Sequence, residues 1–263
     1  MIQYPSINNP TPTEVRTITS THVHQEYQLF ISLPLSYASS NKTFPVLYLL
    51  DGNATYTLVR PLIELQQIIQ LIPELIIVGI GYPQQTYMDT LGLRGRDLTP
   101  IELTPEQKAG GYPFEETGGG PQFLNFLVHE LIPLIDQDFR TEPNDRALLG
   151  WSLGAMFVLY TMFEQPDLFK RMIAISPGID FPDTDKQSLK QNPSLPVKLY
   201  LAVEAPSDDA RTLKEIELTR QFVKVISEQN YAGLEVTLQV FEGEDHFSVG
   251  SIGSIHGLQN IYQ

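Results

Sequence analysis

Cysteine is absent from this chain of 263 residues, which excludes disulfide bridges and thiolate metal sites while leaving either redox compartment open. Basic residues are scarce: 17 Lys and Arg stand against 31 Asp and Glu, for a formal charge of −14. That imbalance repels nucleic-acid phosphates and anionic lipid headgroups, so neither nucleic acid nor a membrane is an expected partner, and the acidic excess reads as a solubility feature. Long apolar runs are lacking too. The longest stretch near a spanning length, residues 61–80, is broken by Glu64, three glutamines, Pro73 and Glu74, so no transmembrane helix is expected. The opening segment MIQYPSINNPTPTEV has neither a basic n-region nor an apolar core, and the expected location is cytoplasmic. No internal repeat or low-complexity segment interrupts the chain.

What is present fits one large α/β domain over residues 1–263, with 42% hydrophobic and 18% charged residues. Residues 14–22 and 25–33 alternate polar and apolar side chains, the period of half-buried antiparallel strands, and predict an N-terminal hairpin. PVLYLL (45–50), LIIVGI (75–80), RALLG (146–150), MIAIS (172–176) and VKLYLAV (197–203) are apolar almost throughout, as strands buried on both faces are. Helical patterns lie between them at 55–71, 121–139, 153–164 and 210–229. A last strand over 234–241 precedes a histidine loop and a C-terminal helix. Strands alternating with helices predict a mostly parallel central sheet with helices on both faces. Residues 82–120 differ, being rich in Gly, Pro and aromatics, and too long for an ordinary strand-to-helix connection. Leaving the C-terminal end of a strand, they are expected to form a substrate-covering insertion.

Gly150-Trp151-Ser152-Leu153-Gly154 fits G-x-S-x-G, the sharp strand-to-helix turn that exposes a nucleophilic serine above a sheet. The pattern alone is weak. Here it follows the apolar strand RALLG and opens the apolar helix LGAMFVLYTMF, which is the context the turn requires. The bland alternative is a helix N-cap serine.

A serine hydroxyl needs a neighbouring base to act as a nucleophile at neutral pH. Of five histidines, His22 and His24 lie on the hairpin, where a solvated strand face is preferred to a metal pair; no metal site is expected. His129 falls on an amphipathic helix and His256 on the terminal helix. His246, in FEGEDHFSVG, follows the last strand and is the expected base. The carboxylate that orients it should lie between Ser152 and His246, just after a strand. Asp208 is preferred, with Asp209 and Glu204 open alternatives and Asp180, Asp183 and Asp185 weaker ones. The oxyanion needs hydrogen-bond donors, and the backbone N–H groups of Leu153 and Asn53 are the candidates. Asp51 and Gly52 beside Asn53 also read as plain turn residues.

These residues resemble the "Putative esterase" branch of the α/β-hydrolase superfamily, which includes esterase D-like enzymes, siderophore esterases, feruloyl esterases and antigen 85-like mycolyltransferases. FPVLYLLDGN is similar to that family's oxyanion segment and LRGRDLTP to its R-x-x-D-x-T-P segment. The run from GGGPQFLNF to GWSLGAMFVLY resembles the helix leading into the nucleophile turn, and FEGEDHFSV the histidine loop. The siderophore esterases are closest in layout. Their resemblance implies the α/β-hydrolase fold, a single domain, no cofactor and a small-molecule ester held partly by arginine. Arg94 and Arg96 are then candidate pocket residues, with salt bridges to Asp97 or Glu102 as the structural alternative. Trp151, inside the motif, is a further candidate substrate contact, and Tyr82, Tyr87, Tyr112 and Phe114 are candidates to line the pocket. Two departures stand out: SPGID replaces the family's S-P-S-x-W-W, and Glu204-Ala205 stands where G-E is usual. The expected function is carboxylic-ester hydrolysis through an acyl-enzyme on Ser152. An acyltransferase using the same intermediate is the nearest alternative; a peptidase, a thioesterase and a non-catalytic binding protein on a hydrolase scaffold are further ones.

Overall fold

The computed structural model describes residues 13–83, 87–105, 114–177, 194–205 and 210–263. Eight strands form one sheet in the order β1-β2-β4-β3-β5-β6-β7-β8. They are β1 (Thr13–Thr19), β2 (Glu26–Ser32), β3 (Phe44–Leu49), β4 (Ile76–Gly81), β5 (Thr141–Trp151), β6 (Arg171–Ile175), β7 (Lys198–Ala205) and β8 (Glu235–Glu242). The predicted hairpin is β1 and β2, paired from Thr13↔Ser32 to Thr19↔Glu26. Strand β2 runs antiparallel to β4, and all remaining pairs are parallel.

The apolar runs are continuous because alternate side chains serve two cores. From β3, Val46, Tyr48 and Leu50 enter one buried cluster while Leu47 and Leu49 enter the other. Met172 and Ala174 oppose Ile173 and Ile175 on β6, and Leu199 and Leu201 oppose Tyr200 and Ala202 on β7. Helices α1 (Gly52–Ile68) and α7 (Ser248–Tyr262) cover one face. The other is covered by α3 (Gly120–Phe126), a π-helical turn (Leu127–Leu131), α4 (Ile132–Asp138) and α5 (Leu153–Glu164). Helix α6 (Ala210–Glu228) packs on β7 and β8. The predicted helix over 121–139 is thus three consecutive pieces. Pro133 cannot donate to the carbonyl of residue 129, and the π turn immediately before α4 absorbs that break in the ladder.

One helix, α2 (Tyr87–Leu98), lies inside the stretch read from sequence as an irregular insertion. Its buried residues include Thr90, Arg94 and Asp97, so the inward face is largely polar and gives little apolar periodicity. Gly95 is required where it stands, because a Cβ there would lie 2.5 Å from the Phe114 ring. Among the described residues no helix is long and apolar enough to cross a membrane.

Candidate active site

Strand β5 ends at Trp151, and the chain turns sharply through Ser152 at φ 58, ψ −120 before α5 begins. A serine in that region is strained and persists only where its surroundings hold it. Three observations account for the hold. The Ser152 N–H donates to the Ile175 carbonyl at 2.8 Å, and the Met156 N–H closes the first helical turn on the Ser152 carbonyl at 3.1 Å. A Cβ on Gly150 would lie 2.2 Å from the Gly154 carbonyl oxygen, so the strand and helix approach this closely only with glycine at 150. Leu153 is the first residue of α5, where a backbone N–H has no acceptor one turn back.

The turn after β3 faces this elbow. Asp51 adopts the left-handed conformation, φ 54 and ψ 42, and its carbonyl accepts the N–H groups of Ala54 and Thr55 as α1 begins. Gly52 lies so close to β4 that a Cβ would sit 2.8 Å from the backbone of Gly79 and Ile80. The Asn53 side chain is spent on structure: Oδ1 accepts the Tyr82 N–H at 2.7 Å and Nδ2 donates to the Tyr82 carbonyl at 2.8 Å. Its backbone N–H lies in the first turn of α1, where helical N–H groups have no intrahelical acceptor.

The two candidate arginines have different surroundings. Arg94 donates from Nε and Nη2 to the two carboxylate oxygens of Asp51, both at 2.8 Å, a bidentate pair with each side chain 8% exposed. Asp51 Oδ2 would be 3.3 Å from a Cβ on Gly154, so this ion pair lies against the elbow. Arg96 instead donates to Asp97 Oδ1 at 2.6 Å, while Tyr27 and Tyr82 donate their hydroxyls to Asp97 Oδ2 at 2.6 and 3.2 Å. Burial pushes the Asp97 carboxyl up against the lowering pull of Arg96 and the two tyrosines. Burial and the neighbouring Asp97 likewise raise both phenols. Arg96 therefore follows the structural alternative. Tyr82 and Phe114 are buried in the core beneath α2; Tyr112 and the Tyr87 side chain lie outside the described residues.

His246 sits on the loop after β8, half-buried, with Nδ1 2.9 Å from Glu204 Oε1 and 3.0 Å from Ser176 Oγ. The loop is fixed from both sides. The Gly243 N–H, at φ 80, donates to the Ala205 carbonyl at 3.0 Å. Asp245 Oδ1 accepts the N–H groups of Phe247 and Ser248 at 2.9 and 2.8 Å. These backbone hydrogen bonds hold the Asp245 carboxyl below its ordinary value. Trp151, adjacent to Ser152, packs its ring 5.5 Å from that of His246 and 6.0 Å from that of Phe247. A Cβ on Gly250 would lie 3.2 Å from the indole. The tryptophan thus lies between His246 and the strand that leads to Ser152.

The carboxylate in contact with His246 among the described residues is Glu204, one of the alternatives to Asp208. Strand β7 runs on to Ala205, and Glu204 pairs in register with Phe241, so this carboxylate is carried by the strand. The Nδ1 proton goes to Glu204; Asp208, Asp209 and residues 180, 183 and 185 lie outside the described residues. Burial alone would raise the Glu204 carboxyl, but the opposing causes, the hydrogen bond from His246 foremost, outweigh it, leaving the group below the usual carboxylate range. The remaining histidines are elsewhere: His22 and His129 face each other at 5.5 Å, His24 lies in the β1–β2 connection at φ 57, and His256 packs on Phe241. Among the described residues no group of three or more His, Asp or Glu is arranged to hold a metal ion. Sequence reasoning did not single out Ser176 as a site residue, since a serine between a strand and a proline carries the signal of a plain turn, nor Asp51 as the partner of Arg94.

The model of the family described as "Putative esterase" matches residues 20–248. The chain belongs to that family. This esterase is 31% identical over 258 residues to the ferri-bacillibactin esterase BesA of Bacillus subtilis, covering 90% of this chain and 85% of the relative. Among solved structures it is similar to the IroE-like serine hydrolase of Shewanella oneidensis, with TM-score 0.82, 24% identity and coverage of 95% and 80% of the two chains. It is also similar to the BES protein of Bacillus cereus, with TM-score 0.81, 26% identity and both chains covered completely. The fold is that of the α/β-hydrolases, and the protein is an ester hydrolase.

Proposed function

We propose that the enzyme hydrolyses a small-molecule carboxylic ester of the siderophore type through an acyl-enzyme on Ser152, with His246 as general base and Glu204 as the orienting acid. The observation that carries this reading is the 2.9 Å contact between His246 Nδ1 and Glu204 Oε1, with the His246 ring 5.5 Å from that of Trp151, the residue that precedes the serine of the strained elbow. A carboxylate there fixes the tautomer with the proton on Nδ1, leaving Nε2 as the acceptor for the serine proton. Ser152 Oγ attacks the ester carbonyl as its proton passes to Nε2, and the imidazolium is stabilised by the ionised Glu204. The backbone N–H groups of Leu153 and Asn53 receive the negative charge that develops on the carbonyl oxygen. Arg94, held against the elbow by Asp51, adds positive charge on the same side. Collapse expels the alcohol, which takes the proton from His246. Water, deprotonated by the same base, then releases the acid and regenerates Ser152.

The siderophore assignment is supported by the 31% identity with BesA over most of both chains. We read residues 1–263 as a single domain in which 82–120 cover the substrate, with α2 as the part that brings Arg94 to the site. A hydrolysis screen tests this reading: p-nitrophenyl esters of increasing chain length, aryl esters and a tri-catecholate siderophore, each with and without an added alcohol. The expected result is a kcat/KM for the siderophore well above that for the simple esters, with free acid as the product in both conditions. Preference for a short alkyl ester would overturn the substrate class, and transfer of the acyl group to the alcohol at the expense of hydrolysis would make the enzyme a transferase.

A further inference from the structure

Ser176 follows β6 directly, in the left-handed region at φ 49, one of six non-glycine residues with positive φ among those described. Its N–H donates to the Ala202 carbonyl at 2.7 Å, and the preceding residue, Ile175, accepts the N–H of Ser152 at 2.8 Å. Two consecutive residues therefore tie the backbone of the nucleophile to the side of the base. The Ser176 side chain is buried, 4% exposed, with Oγ 3.0 Å from His246 Nδ1.

The direction of this bond follows from its neighbour. Glu204 Oε1 lies 2.9 Å from the same nitrogen, and an ionised carboxylate has only lone pairs to offer, so Nδ1 carries the proton. Ser176 Oγ then accepts a second arm of that N–H. A strained backbone that delivers one hydroxyl to the junction of acid and base is strain concentrated at a functional site.

We infer that Ser176 is a positioning residue for ester hydrolysis: its hydroxyl accepts from His246 Nδ1 alongside Glu204 and fixes the plane of the imidazole. The inference rests on the reading of Ser152, His246 and Glu204 given above. It extends the triad by a group that touches neither the substrate nor the reacting atoms, so it acts on kcat through the orientation of His246 and leaves KM unchanged.

The test replaces Ser176 by glycine, which accepts a left-handed φ without strain and removes only the hydroxymethyl group. Ser176→Gly should melt no lower than wild type, yet lose about tenfold in kcat at constant KM, the size of one hydrogen bond to a charged group. Ser176→Ala should lose the same kcat while melting lower, because alanine keeps the strain. The downfield proton resonance of His246 Nδ1–H, observed in the free enzyme, should shift in both variants, a change that a purely structural role would not produce. Wild-type kcat and an unmoved resonance in Ser176→Gly would overturn the inference, provided that a fluorophosphonate still labels Ser152 in the wild-type enzyme. Failure of that labelling would instead sink the underlying triad reading.

Discussion

Glu204 and His246, 42 positions apart in the chain, meet at 2.9 Å because β7 and β8 are parallel neighbours whose register sets Glu204 opposite Phe241. Glu204 stands on the strand itself, and His246 follows Phe241 by five residues. On the proposed reading this relationship makes Glu204 the carboxylate that orients the imidazole.

Glu204→Gln should therefore lower kcat by about 10³- to 10⁴-fold, because an amide leaves the tautomer free to place its proton on the wrong nitrogen. His246→Ala should lose about 10⁴-fold or more. Asp208→Ala should change kcat by less than threefold. Steady-state kinetics on one chromogenic ester checks all three variants, and a crippled Asp208→Ala beside an active Glu204→Gln would return the role to the loop.

The hydrogen bonds to Glu204 also predict a pH dependence of stability. The folded-state carboxyl lies below its ordinary value, which is about 4.3 in an unfolded chain. Its contribution is then complete above that value and is lost as the pH falls through the lower folded value. The difference in unfolding free energy between wild type and Glu204→Gln should be constant from about pH 7 to pH 5 and shrink below about pH 4. Urea melts at each pH measure it, and a difference that grew with acidification would contradict the assignment.

Arg94 and Arg96, two residues apart, should respond oppositely to mutation. Removing Arg94 leaves Asp51 uncompensated against the elbow, where its charge opposes the oxyanion, so Arg94→Ala should lower kcat on neutral and anionic esters alike. The double variant Asp51→Asn, Arg94→Ala should recover part of that loss, the coupling expected of a buried ion pair. Arg96→Ala should spare kcat but destabilise the fold by about 3 kcal/mol or more, since it leaves the buried Asp97 without its cation. For a chain of this size that is a fall in Tm of about 6 to 12 °C. A loss confined to anionic esters in Arg94→Ala would mark that arginine as a substrate anchor instead.

The strands were legible in the sequence because their side chains feed a core on each face: the runs at β3, β4, β6 and β7 are apolar whichever way alternate residues point. The elbow was legible for a different reason, in that Gly150 is demanded by the close approach of the Gly154 backbone. Helix α2 was hidden because Thr90, Arg94 and Asp97 turn inward, and a polar buried face has no hydrophobic period. Glu204 ranked behind Asp208 because β7 continues through it; a carboxylate inside an apolar strand looks like its end. Ser176 carried no signal at all, since its role depends on a backbone angle and a partner 70 residues away.

The most direct test of the account is the turnover of a p-nitrophenyl ester by Ser152→Ala, set beside fluorophosphonate labelling of the wild-type enzyme. The predicted result is a single covalent adduct on Ser152 in the wild type, and a Ser152→Ala protein that keeps its cooperative unfolding but has lost ester turnover. Turnover within tenfold of wild type, in a preparation cleared of contaminating esterase, would contradict the assignment of Ser152 as the nucleophile.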